Sequence, residues 1–163
     1  MSASNNLPAF IELASTLTGV SPKVVGQAQD AASYFENYTA LANANARPQA
    51  MDGLMQVYWL NRQKFPAPVV AAMLLSGGLD SGSPYSQFPL SVMTRNMMKL
   101  MLLGVWFEPT KMSDPDYVGD IPTALAYSES LIWLIGQAHA VGASKMAYGH
   151  WAKPPPPLKG LIG

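Results

Sequence analysis

Two histidines, a glutamate on an apolar stripe and a group of aromatic residues toward the C-terminus are the side chains that could bring chemistry to this sequence. His139 and His150 stand eleven residues apart, and neither has an aspartate or glutamate at metal-ligand spacing beside it. A zinc or non-haem iron centre needs several converging ligands, so no metal site is expected. His139 suits the end of a helix, where an imidazole interacts with the last carbonyls. His150 belongs with a terminal contact surface.

Glu129 falls on the same helical face as Leu125 and Ile132. A carboxylate on an apolar stripe has the makings of a general acid or base, because burial raises its pKa. No second carboxylate, histidine or lysine is spaced to complete a catalytic set with it, so a paired or half-exposed glutamate is the expectation. Asp114, Asp116 and Asp120 share a loop but lack the ligand positions and turn glycine of a calcium loop, and they read as turn and capping residues. Ser76-Gly77-Gly78 follows no convincing strand, and no dinucleotide fingerprint or phosphate-cradling loop occurs elsewhere. No catalytic residue and no cofactor site are therefore assigned to this chain. Trp133, Tyr148 and Trp151 have the surfaces of a stacking platform. The ten basic and ten acidic residues cancel, however, and offer phosphates no attraction. Core or interface packing is the expected use of these rings.

The elements that must position these residues read as helices. Phe10, Leu13, Ala14 and Leu17 fall on one face of a helix from about Pro8 to Thr18, stopped by Gly19. Ser21 then caps, and Pro22 opens a second helix whose stripe runs through Val24, Val25, Ala28, Ala31, Ala32, Phe35 and Tyr38. The segment Asn43 to Pro48 breaks the pattern. A third helix, Met51 to Gln63, carries Met51, Leu54, Met55, Tyr58 and Trp59, and Pro66 and Pro68 interrupt it. A short helix is expected from Val69 to Leu75, followed by a long Gly/Ser/Pro-rich loop from Ser76 to Gln87. The fourth long helix, Pro89 to Trp106, has Leu90, Met93, Met97, Leu100 and Met101 on one face. Its last turns, with Leu102, Leu103 and Trp106, are apolar nearly all round, which suits either the centre of the core or a docking surface. A turn-rich link from Glu108 to Pro122 leads to a fifth helix, about Thr123 to Ala138.

Alternating strand patterns are scarce, so the fold class is all-α: an irregular bundle of about five helices over residues 1–147, followed by an extended proline-rich docking tail over residues 148–163. Four consecutive prolines, Pro154 to Pro157, impose the polyproline conformation on that tail. At 163 residues and 49% hydrophobic content the chain has ample material for one core. The absence of cysteine excludes disulfides and thiolate chemistry. The apolar runs Val69 to Leu75 and Leu100 to Phe107 fall short of the roughly 20 residues of a spanning helix, so no membrane span is expected. The opening Met-Ser-Ala-Ser-Asn-Asn has no charged region followed by an apolar run, so no secretory signal is expected there. Only 12% of residues are charged, and some apolar surface is therefore expected to face a partner.

The tail Tyr148-Gly149-His150-Trp151-Ala152-Lys153-Pro154-Pro155 resembles the Gly-aromatic-Trp-Ala-x-x-Pro ending of the small subunits of membrane-associated, FAD-dependent sorbitol, fructose, gluconate and glucose dehydrogenases. Phe10 to Gly19 is similar to the family's first helix, with Ser15 one place nearer Leu17 than in its Ser-x-x-Leu-Thr-Gly pattern. Met98 to Phe107 and Ser128 to Trp133 are similar to two further helices of the family, so the likeness covers most of residues 9–155. The resemblance implies a non-catalytic helical subunit that binds a large FAD-bearing subunit and helps it mature and reach the periplasmic face of the inner membrane. There a multihaem cytochrome c subunit takes the electrons. FAD and haem c then belong to the partners, as does the sugar or polyol site.

Three departures stand out. The opening residues show no arginine pair of the twin-arginine export signal usual in the family. Ser144 stands in the neighbourhood where members often carry a cysteine that can tie the subunits, which implies non-covalent association, and His150 replaces an aromatic residue. The expected partner interface comprises Trp106, Trp133, Tyr148, Gly149, His150, Trp151, Pro154 and Pro155, with Trp151 as its anchor. Two alternatives from other classes are a stand-alone interaction module whose proline tail binds an aromatic groove, and a small helical enzyme using Glu129 or His139.

Overall fold

The structure, a computed structural model, describes residues 6–27, 50–82, 89–108, 111–121, 124–128, 130–136 and 159. Among these residues every regular element is helical, so the chain has the expected all-α fold. Helix α1 spans Asn6–Thr18 and buries Ala9, Phe10, Leu13 and Ala14. It ends where Gly19 turns to φ +71° and donates its N–H to the Ser15 carbonyl, a conformation that costs least at glycine. Helix α2, Pro22–Gln27, starts at Ser21, whose carbonyl and hydroxyl oxygens both accept from the Val24 N–H. The expected continuation of this helix, from Ala28 to Tyr38, lies outside the described residues.

Helix α3, Ala50–Arg62, drives Met51, Leu54, Met55 and Tyr58 into the core at the period foreseen. Helix α4, Ala67–Ser76, begins two residues earlier than expected. Pro68 sits in its first turn rather than breaking it, because an N–H is dispensable there. Gly77, at φ +83°, closes α4, and a 3₁₀ turn at Asp80–Gly82 follows. Asp80 then accepts two hydrogen bonds from Ser91, one from the backbone N–H at 2.8 Å and one from the hydroxyl at 2.8 Å. The start of α5, Leu90–Leu103, is thus capped from eleven positions upstream rather than by its own N-cap residue, Pro89.

Helix α1 packs against α2, α3, α4 and α5, and α5 also contacts α3 and α4. The core runs between them through Phe10, Leu13, Leu54, Tyr58, Leu74, Met93, Met97 and Leu100. At the end of α5 the apolar turns divide between core and surface. Trp106 is fully buried in the core, whereas Leu103 is 41% exposed. Trp106 was expected at a partner interface, and the structure corrects that placement. Gly104 at φ +68° redirects the chain after α5, and Trp106, bridged to Asp120, carries its indole into the core.

The link after α5 is a closed loop. Trp106 and Asp120 exchange backbone hydrogen bonds of 2.8 Å in each direction, an isolated antiparallel bridge. The expected single helix from Thr123 to Ala138 is, in its described part, two short ones, α6 at Ala124–Ser128 and α7 at Leu131–Ile135. Ser130 is extended, at ψ 143°, and stops the helical ladder between them. The Trp133 indole N–H then donates to the Tyr127 carbonyl at 2.8 Å, supplying a partner where the ladder is interrupted. Helix α7 packs on α5.

Candidate functional site

One polar cluster of the described residues lies between α1 and α3. Glu12 receives Arg62 in a fork, with Nη2 to Oε1 at 2.7 Å and Nε to Oε2 at 3.0 Å. Tyr58, whose ring is fully buried, donates its hydroxyl to the same Oε2 at 2.8 Å. Arg62 also donates Nη1 to the Phe65 carbonyl, which fastens the turn after α3. The Arg62 guanidinium holds the Glu12 carboxyl below its ordinary range, against the opposing effect of burial. Burial first, and the Glu12 carboxylate second, push the Tyr58 phenol far up. Glu12 is therefore charged and Tyr58 neutral near neutral pH. The three side chains clamp α1 to α3.

The second cluster is built on the loop closed by Trp106 and Asp120. The buried Trp106 indole donates to Glu108 Oε2 at 3.4 Å. Glu108 donates its backbone N–H to the Tyr117 hydroxyl at 2.9 Å, and that hydroxyl donates to Asp120 Oδ2 at 2.8 Å. Lys111 reaches the same Asp120 oxygen at 3.4 Å and lies over the Tyr117 ring. The Lys99 ammonium sits 4.1 Å from the centre of the Phe107 ring, and Phe107 meets Tyr117 edge to face. Asp114 caps the turn, as expected, by accepting from the Asp116 N–H, whereas the Asp120 carboxylate accepts from the Tyr117 hydroxyl. Together these contacts fix the backbone of a loop whose tip, residues 111–116, is exposed. Val118 stands 84% exposed beside it.

Of the interface residues expected from sequence, Trp106 is in the core and Trp133 is half-buried, stacked edge to face with Tyr127 at 5.5 Å. Tyr148, Gly149, His150, Trp151, Pro154 and Pro155 lie outside the described residues, as do Glu129 and His139. Among the described residues no group of three or more His, Cys, Asp or Glu side chains is placed to hold a metal ion. No described helix is long and apolar enough to cross a membrane. Sequence reasoning missed the Glu12–Tyr58–Arg62 clamp entirely. Its only advance signal was Glu12 beside the apolar face of α1, since its partners lie 46 and 50 positions away.

Leu60, Phe65, Val69, Leu103, Met112, Val118, Ile121, Ile132 and Leu134 are all exposed. Leu103, Ile132 and Leu134 sit on α5 and α7, two helices that pack together. Comparison of the chain with protein-family models, with curated proteins and with solved structures gives no match in any of the three.

Proposed function

We propose that this chain is a non-catalytic small subunit that docks onto, stabilises and helps mature or export the large FAD-bearing subunit of a sugar or polyol dehydrogenase. A multihaem cytochrome c completes that complex at the periplasmic face of the inner membrane. The observation that carries the proposal is the terminal Tyr148-Gly149-His150-Trp151-Ala152-Lys153-Pro154-Pro155, in order after the helix motifs at Phe10 to Gly19, Met98 to Phe107 and Ser128 to Trp133. The exposed Leu103, Ile132 and Leu134 add support, because they lie on α5 and α7, the helices of two of those motifs. Withdrawing a large aliphatic side chain fully from water is worth about 1.5–3 kcal/mol, so even partial burial of these three would strengthen docking.

In this role Trp151 anchors the tail. Pro154 to Pro157 span about 12 Å at roughly 3.1 Å per residue in the polyproline conformation, so little freedom is lost when the segment settles in a groove. With no cysteine in the chain, no covalent tie would mask a weakened contact. The test is co-expression with the large FAD-bearing subunit, followed by dissociation measurements on the purified complex. Trp151→Ala and a chain stopped after Met146 are each expected to lose about 2 kcal/mol or more, roughly thirtyfold in affinity. Tail anchoring is wrong if both variants hold the large subunit as tightly as the parent. The accessory role itself is overturned if the parent chain fails to co-purify with the large subunit, or if the chain purified alone carries stoichiometric flavin and oxidises sugars.

A further inference from the structure

We draw no further inference here: the strongest candidate, the exposed apolar side chains Met112 and Val118 on the loop closed by the Trp106–Asp120 bridge, with Ile121 just after it, carries none because nothing in the structure shows what covers them.

Discussion

Gly104→Ala is expected to destabilise the fold far more than Gly19→Ala, although both glycines end a helix at nearly the same backbone angle, φ +68° and +71°. An L-residue in this left-handed region costs about 1–2 kcal/mol, and both variants incur that term. At Gly19 nothing lies within 4 Å of an added Cβ, so the backbone term stands alone. At Gly104 the new Cβ would run into the Ala126 carbonyl oxygen and lie 2.7 Å from the Tyr127 Cα. Both are backbone atoms of α6, which cannot rotate aside as a side-chain tip can. Overpacking of this kind adds about 1–3 kcal/mol. Gly104→Ala should therefore lose about 2–5 kcal/mol in total, a large share of the roughly 5–15 kcal/mol that holds an ordinary domain together. In thermal unfolding, about 2–4 °C per kcal/mol for a chain of this size, the extra steric term alone separates the two variants by about 2–12 °C. Urea midpoints give an independent measure. If Gly104→Ala unfolds at the same temperature and urea concentration as Gly19→Ala, the close approach of α5 to α6 is refuted.

Glu12→Gln should lower stability at pH 7 but lose its effect in acid. The folded carboxyl titrates below its ordinary value near 4.5, so its contribution is full above that value and disappears as the pH falls through the lowered folded pKa. Urea titrations of parent and variant at pH 7 and pH 3 check this, and an equal gap at both pH values refutes it. Asp80→Ala removes both acceptors from Ser91 at the start of α5 and should cost about 0.5–2 kcal/mol, as lost helix caps do, measured by thermal unfolding. Trp106→Ala should cost about 3–5 kcal/mol, as truncation of a buried aromatic does. It is expected to reduce the soluble folded yield of the chain alone, and an unchanged unfolding temperature would return Trp106 to the surface.

Helix existence was legible because burial imposes a period that a reader can see. Phe10, Leu13 and Ala14, then Met51, Leu54, Met55 and Tyr58, then Met93, Met97 and Leu100 are both the apolar stripes of the sequence and the core of the structure. Glycine stops were legible too, since Gly19 closes the helix it was expected to close. What escaped were features set by distant partners. The Asp80 cap on Ser91 and the Arg62 fork on Glu12 join positions 11 and 50 apart, and no local spacing announces either. Ser130 has no proline or glycine beside it to announce the break between α6 and α7. Trp106 was misplaced because an apolar helix end gives no sign of which side chain turns inward once a glycine redirects the chain. Of the expected docking residues, only Trp106 and Trp133 belong to the described part of the chain.

The position of α1 at the hub of the bundle sets a schedule for synthesis. Its apolar face rests on α3, α4 and α5, and the last residue of α5 follows the last residue of α1 by 85 positions. At about 5–20 residues per second a ribosome needs roughly 4–17 s to cover that distance. Throughout that interval Phe10, Leu13 and Ala14 have no complete pocket to enter, while helix formation and collapse take microseconds. The nascent chain thus presents its first helix to the cell as a sticky amphipathic segment for seconds. A holdase that covers this segment until Leu103 has emerged would raise the yield of folded protein without contributing anything to its final stability.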